Sequence, residues 1–185
     1  MIISDLPPEM PVTEARIMCS VEAAAHYNLP PDLVFAVSVT EGGEPGMVRV
    51  NANGTKDLGF MQFNTSYLKT LKKYGITEAA VQSNSCYPFH LAAWRLKQHI
   101  NEPGDEDMFT KAAYYHSRTP EFNAVYRDKL IANSRLFDFD VGMKYLALLT
   151  DDVTQKLKEI EQYNAENVLT TTAMVIIPEK GTKHD

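Results

Sequence analysis

Apolar positions recur at helical spacing along most of the first 136 residues, and prolines, glycines and asparagines interrupt them. The predicted helices cover residues 14–25, 32–41, 64–74, 87–100, 108–115 and 120–131. Thr13 and Asn64 are expected to cap two of these helices at their N-termini, and Gly75 is expected to end the second of the two. The pattern therefore predicts an all-α protein.

Two regions depart from the helical pattern. Residues 47–63 are rich in Asn and Gly and predict a loop with at most a short hairpin, in which residues 47–50 are the one candidate strand. Residues 141–163 alternate apolar and charged positions, as in an amphipathic helix, and residues 170–178 are β-branched and strand-like. We therefore expect a domain over residues 12–137 and a C-terminal helical extension with a tail over residues 138–185.

Composition and charge exclude several classes of partner. The 185 residues include 18 Lys and Arg against 24 Asp and Glu, for a net charge of -6, which argues against a nucleic-acid partner. No apolar stretch approaches the roughly 20 residues of a membrane span, and the first residues do not resemble a signal peptide. The five histidines and two cysteines are scattered, so neither a metal site nor a cofactor is predicted.

The two cysteines, Cys19 and Cys86, leave two possibilities open. They are either separate buried thiols or one disulfide between the first helix and a later one. A disulfide would imply an oxidising compartment. Spacing alone does not choose between them.

Glu41 is the first candidate for chemistry. It ends the helical segment 32–41, whose positions between Asp32 and Glu41 carry no charge and are largely apolar. A carboxyl group in such surroundings is desolvated, which raises its pKa toward the range that a general acid needs. The alternative is a glutamate that reaches the surface where Gly42 and Gly43 end the helix.

The loop that follows offers polar groups to a ligand. Residues 51–64 combine glycines, amides and a hydroxyl group, and amides suit sugars because they both donate and accept hydrogen bonds. In the alternative interpretation this segment is a turn-rich connection whose Met61 and Phe63 fill the core.

Three motifs together resemble a known family. Glu41-Gly42-Gly43, then the segment from Asn53 to Asn64 that contains Gly59-Phe60-Met61-Gln62, and then Ala113-Tyr114-Tyr115-His116-Ser117 occur in order with helices between them. They resemble the motifs of lytic transglycosylases, in particular the small specialised enzymes that accompany conjugation and secretion machines or phage tails. The resemblance covers roughly residues 14–136 and implies a lysozyme-like fold akin to goose-type lysozyme.

The resemblance implies a role for Glu41. At this position the family has its single catalytic acid, which protonates the glycosidic oxygen between N-acetylmuramic acid and N-acetylglucosamine. The same group then takes a proton from the muramyl 6-hydroxyl, which attacks the anomeric carbon. The product carries a 1,6-anhydro sugar, and the substrate supplies its own nucleophile, unlike in the scheme with two carboxylates.

The resemblance also assigns the sugar groove. Gly59, Met61 and Gln62 match the family's Gly-Leu-Met-Gln stretch, with Gln62 as a polar sugar contact and Met61 on the groove floor. Phe60 and Phe63 replace the family's usual Leu and Ile, which are apolar as well.

The aromatic motif permits two registers. Either Tyr114 or Tyr115 matches the tyrosine whose hydroxyl lies near the catalytic carboxyl, and Tyr115 is preferred because it directly precedes His116-Ser117. His116 stands where many members have Asn, and a neutral His can still hydrogen-bond a sugar. Asn53 is a further candidate sugar ligand, with a turn-forming role as its alternative.

The resemblance favours a Cys19–Cys86 disulfide and an enzyme that acts on peptidoglycan glycan strands in the periplasm or cell envelope, or as part of a phage. A component of an envelope-spanning secretion or conjugation machine is the expected protein partner.

Two alternatives remain: a hydrolytic muramidase of the same fold in which Asp57 or Asp32 assists an attacking water, and a non-catalytic module that binds the wall. Trp94, the lone tryptophan, is either a core anchor or a stacking platform for sugar.

Overall fold

The structure is a computed structural model that describes residues 3–151, 155, 158–159 and 162. The chain divides into two compact units, Met1–Leu146 and Ala147–Asp185. The boundary expected between residues 137 and 138 stays a prediction. Within the described residues no helix is both long enough and apolar enough to cross a membrane.

Helices form most of the first unit. They are α1 (Val12–Tyr27), α2 (Pro31–Glu41), α3 (Thr65–Leu71), α4 (Glu78–Val81), α5 (Tyr87–Ile100), α6 (Met108–Ala112) and α7 (Pro120–Ser134). Two 3₁₀ turns, Lys72–Tyr74 and Ala113–Tyr115, continue α3 and α6. Residues 139–151 are also helical.

Most of the predicted boundaries agree with these elements. Asn64 caps α3 because its side chain accepts a hydrogen bond from the Ser66 N–H, and Gly75 ends the following turn in a left-handed conformation. The Thr13 cap is wrong, since α1 begins after Pro11 and has no side-chain cap. The predicted helix 108–115 is two elements, because its last turn tightens to 3₁₀ geometry.

The region predicted as a loop contains a small antiparallel sheet. Its strands are β1 (Val48–Val50), β2 (Lys56–Leu58) and β3 (Phe63–Asn64), in the order β1-β2-β3. The sequence therefore predicts too few strands in this region. The strands are two or three residues long, too short for alternation to stand out from a background of turn residues.

Helix α2 lies at the centre of the core. Residues 33–38 are all buried, and the helix packs against α1 on one side and α7 on the other. Helix α1 also packs against α5. The segment is apolar almost all round because it is covered on several faces, and this arrangement carries its last residue to the edge of the core.

A disulfide and an N-terminal segment tie α1 to the start of α5. Cys19 and Cys86 are bonded, and both are fully buried. The Cys86 N–H donates to the Ser4 carbonyl, and the Leu6 N–H donates to the carbonyl of Asn84. Leu6 is itself part of the core, so the segment before α1 belongs to the packed domain.

The structure describes only part of the predicted C-terminal extension. Residues 141–151 are helical, as the alternation of apolar and charged positions predicts. The strand-like stretch at residues 170–178 lies outside the described residues, as does much of the predicted helix beyond residue 151.

Candidate active site

Glu41 is the last residue of α2, and the helix ends there because Gly42 adopts a left-handed conformation with φ of 63°. The Gly42 N–H closes the helix on the Ser38 carbonyl. Glu41 thus lies between the buried stretch of the helix and an exposed glycine, and its side chain is half-buried.

An open cavity of about 210 Å³ borders Glu41. Its walls come from four parts of the chain: the end of α2, strand β1, the turn at His116 and helix α7. The lining includes Glu41, Arg49, His116, Phe122, Tyr126 and Lys129. The carboxyl group is therefore reachable by a ligand while most of its surroundings are protein.

The environment of Glu41 raises the pKa of its carboxyl group to about 7. Burial is the largest cause, because it penalises the charged form. A hydrogen bond from Tyr126 opposes the rise, the negative charge of Asp57 adds to it, and the positive charges of Arg95 and Arg49 lower it. Near neutral pH, both the acid and the carboxylate are populated.

Tyr126 is the direct partner of this carboxyl group. Its hydroxyl donates to Glu41 Oε1 at 2.5 Å, and its ring stacks on that of His116 with centroids 4.9 Å apart. Burial raises the pKa of Tyr126 well above its ordinary value, so the hydroxyl remains a donor. In the sequence Tyr126 is only one position of the predicted helix 120–131, because nothing in a helical period shows which residue meets a carboxyl 85 positions earlier.

The Gly59–Gln62 turn forms a tight wall beside the end of α2. Gln62 has a positive φ of 47°, and its Nε2 donates to the Gly59 carbonyl at 2.8 Å. Gln62 Oε1 is buried and has no hydrogen-bond partner among the described residues. A Cβ on Gly43 would lie 2.0 Å from the Gly59 carbonyl oxygen, so only glycine fits where these segments meet.

Tyr115 and Met61 connect this turn to the 3₁₀ turn after α6. The Tyr115 hydroxyl donates to the Met61 carbonyl at 2.9 Å, and both side chains are buried. The Arg95 guanidinium lies over two rings, with its carbon 4.1 Å from the centroid of Tyr67 and 4.5 Å from that of Tyr115. Tyr115 thus positions the backbone of the turn.

Two further candidates, Tyr114 and Asn53, make contacts away from the Glu41 carboxyl. Tyr114 donates to Glu106 at 3.4 Å, and its ring faces the Arg118 guanidinium, so it contacts neither Glu41 nor Gln62. Asn53 Oδ1 accepts from the backbone and hydroxyl of Thr55, as a turn residue does. Their roles in sugar binding stay predictions.

His116 lines the cavity. Partial burial lowers the pKa of its ring, and the nearby Lys129 charge lowers it further, although the side chain reaches the surface. The ring is therefore neutral at neutral pH and can hydrogen-bond a ligand.

Asp57 is fixed by amides. Its Oδ2 accepts from Asn51 at 2.9 Å, and its Oδ1 accepts from Asn64 at 2.7 Å. The same two asparagines also donate to the Thr55 hydroxyl. These bonds hold β2 against its neighbours and orient both carboxylate oxygens toward protein donors.

The geometry combines one titrating carboxyl group, a cavity and polar groups on the adjacent turn. Such a carboxyl can give up a proton and later take one back near neutral pH. Among the described residues, no cluster of three or more His, Cys, Asp or Glu side chains is arranged to hold a metal ion.

Curated relatives are similar in sequence to part of the chain. Protein IpgF of Shigella flexneri is 37% identical over 84 residues, which is 45% of this chain and 55% of that protein. Invasion protein IagB of Salmonella typhimurium is 35% identical over 69 residues, which is 37% of this chain and 43% of that protein. The chain thus spans about half the length of the curated relatives it matches.

A family model matches more of the molecule. The transglycosylase SLT domain matches residues 18–127, more than half of the chain, from the middle of α1 into α7. The match contains Glu41, the Gly59–Gln62 turn and Tyr126. The lysozyme-like, mainly helical fold expected from the sequence is thereby confirmed, and the chain belongs to the transglycosylase SLT domain family.

Proposed function

We propose that this protein is a peptidoglycan lytic transglycosylase with Glu41 as its sole general acid and base. The protonated carboxyl gives its proton to the glycosidic oxygen between N-acetylmuramic acid and N-acetylglucosamine. The resulting carboxylate then takes the proton of the muramyl 6-hydroxyl, whose oxygen bonds to the anomeric carbon. The products are a 1,6-anhydro-muramyl end and a free N-acetylglucosamine 4-hydroxyl.

The observation that carries this proposal is the pKa of Glu41, raised to about 7 beside an open cavity. A group that must first donate and then accept a proton works best when its pKa lies near the working pH. Membership of the SLT domain family supports the same chemistry.

Hydrolysis by the two-carboxylate scheme needs a second carboxylate as the partner of Glu41, and each candidate has a structural feature that counts against it. Both oxygens of Asp57 accept hydrogen bonds from asparagine amides. Asp32 lies at the opposite end of α2, about 14 Å from Glu41 along the helix axis. Inverting glycosidases separate their carboxyls by roughly 6.5–9.5 Å and retaining ones by less, so Asp32 is too far from Glu41 for either scheme, and the two amide contacts of Asp57 count against its use as a base.

We assign sugar contacts to the turn beside Glu41. Gln62 presents a buried oxygen without a hydrogen-bond partner among the described residues, which suits a sugar hydroxyl or amide. His116 lines the cavity itself, and Gly59 and Met61 shape the turn through their backbones. Tyr115 supports Met61. Tyr114 and Asn53 have the weakest structural support.

The setting follows from the substrate. Peptidoglycan lies outside the cytoplasm, so we place the protein in the periplasm or cell envelope. The relative named as an invasion protein supports a role beside an envelope-spanning machine, for which this enzyme would open the wall locally.

Mass spectrometry of digested sacculi tests the reaction. The wild-type protein should release muropeptides with anhydro ends, which are lighter by one water than hydrolysed ends. Glu41→Gln should lower the rate by at least about 1000-fold while keeping the fold, since no other group replaces the acid.

Asp57→Asn is the matched control for that measurement. It should retain activity with the same anhydro product, because the mechanism with one acid does not use Asp57 chemically. Hydrolysed ends that disappear in Asp57→Asn would instead establish the muramidase. No wall digestion by the wild-type protein, with binding to sacculi preserved, would establish the non-catalytic module.

A further inference from the structure

Two basic side chains line the cavity beside Glu41, and neither forms an ion pair among the described residues. Arg49 comes from β1 and Lys129 from α7, and both are exposed. Within the part of the chain that the structure describes, neither makes an ion pair or a side-chain hydrogen bond. This differs from Arg118 and Arg127, which pair with Glu102 and Asp128.

Arg49 has a carboxylate close by that does not pair with it. Asp57 is its direct cross-strand neighbour in the β1–β2 ladder. Both Asp57 oxygens accept from Asn51 and Asn64, and no ion pair with Arg49 forms. The amide contacts thus leave the guanidinium available to an anion from outside the protein.

Helix α7 adds apolar surface next to these charges. Phe122 and Val125 are 62% and 58% exposed and line the same cavity as Lys129. The three side chains stand at positions i, i+3 and i+7 and therefore share one face of the helix. We call Arg49, Phe122, Val125 and Lys129 the cationic rim.

The positive charge of the cationic rim is opposite in sign to the net charge of the whole chain. A net charge of -6 gives no general attraction to anionic material. A local pair of cations beside exposed apolar side chains therefore suits a ligand that combines carboxylates with small apolar groups. The peptide stems carried by the muramyl sugars of peptidoglycan have this composition, since they contain alanine methyl groups and free carboxylates.

Resting on the proposed function, we propose that the cationic rim binds the peptide stem of the substrate strand, so that the enzyme prefers stem-bearing glycan to glycan without stems. Arg49 and Lys129 bind the stem carboxylates, while Phe122 and Val125 contact its apolar groups. The rim borders the cavity at Glu41, so a stem attached to the sugar in that cavity is within reach of it.

Binding by the Glu41→Gln protein tests this without requiring cleavage. The ligands are a muropeptide tetrasaccharide with its stems and the same tetrasaccharide after amidase treatment. The stem-bearing ligand should bind more tightly, and adding Arg49→Gln or Lys129→Gln should weaken only its binding, by roughly 2- to 5-fold each. The difference should shrink between 0.05 and 0.5 M salt, because exposed charges are screened.

Arg135→Gln and Lys72→Gln are the matched controls. Both residues are exposed and neither lines the cavity, so both variants should bind the two ligands like the parent protein. Equal affinity for the two ligands, or an equal loss for both in the rim variants, would overturn the proposal. Failure of the transglycosylase reaction would appear separately, in the products released from sacculi.

Discussion

At the scale of single residues, the chemistry depends on two opposing effects at Glu41. Burial raises the pKa of its carboxyl, and the Tyr126 hydroxyl and nearby arginines restrain that rise. The hydrogen bond from Tyr126 favours the charged form, so it also stabilises the carboxylate left after proton donation. Burial and the tyrosine together therefore determine the pH range in which Glu41 can serve both as acid and as base.

Tyr126→Phe should move the pH dependence of activity upward. The variant loses the bond that lowers the pKa of Glu41, so the carboxyl stays protonated to higher pH. The alkaline limb of kcat/KM, which follows loss of the Glu41 proton near pH 7, should shift up by as much as about one pH unit. Rates on sacculi measured between pH 4 and 9 report this shift.

Asp57→Asn should shift the pH dependence of activity in the opposite direction in the same assay. The Asp57 charge raises the pKa of Glu41, so its removal should move the alkaline limb to lower pH. Shifts in the same direction for both variants would contradict the assignment of Glu41 as the titrating acid.

At the scale of elements, the site depends on a close contact between the end of α2 and the Gly59–Gln62 turn. A Cβ at Gly43 would meet the Gly59 carbonyl oxygen at 2.0 Å and Gln62 Nε2 at 2.8 Å. The two glycines allow Gln62 to lie beside the helix that carries Glu41.

Gly43→Ala should therefore push the end of α2 away from the Gly59–Gln62 turn. We expect a loss of roughly 1–3 kcal/mol in the free energy of unfolding, as for other overpacked sites, together with a fall in kcat/KM. Denaturant titration and the sacculus assay measure the two effects.

Gly46→Ala is the control for that experiment. Gly46 has a positive φ, but its added Cβ would meet nothing within 4 Å. It should cost about 1 kcal/mol through backbone conformation alone and leave kcat/KM unchanged. A similar loss of activity in both variants would count against a specific role for the contact at Gly43.

The Cys19–Cys86 disulfide joins α1 to the start of α5 across 67 positions of sequence. A link of this span removes conformational entropy from the unfolded chain, so Cys19→Ser with Cys86→Ser should lower the free energy of unfolding by about 4 kcal/mol. Urea titration of the oxidised protein and the double variant measures the difference. An unchanged midpoint would show that packing alone fixes the two helices.

The sequence predicts elements best where their determinants are local. The Asn64 cap, the Gly75 stop and the apolar run before Glu41 each act within a few residues, so these helix ends are predicted well. Strands β2 and β3 and helix α4 were not predicted because tertiary contacts, rather than propensity, hold segments of two to four residues. Thr13 fits the N-cap preference, but Pro11 allows the helix to begin earlier.

At the scale of the whole molecule, the candidate site combines residues that lie far apart in sequence. Family resemblance pointed to Glu41 and to the Gln62 turn, because these lie in continuous motifs. Tyr126, Arg49 and Lys129 carry no such motif, and only the fold brings them to one cavity. A net charge of -6 likewise conceals the unpaired cations beside Glu41.

The N-terminal segment has a consequence for how the domain should be excised or fused. The family match begins at residue 18, inside α1, yet Leu6 is in the core and the Ser4 N–H donates to Glu22, which also bonds His90. A fragment cut at the family boundary would remove the first turns of α1 and uncover the buried Glu22. Expression designs should retain residues 3–17 and place any cleavable tag before them.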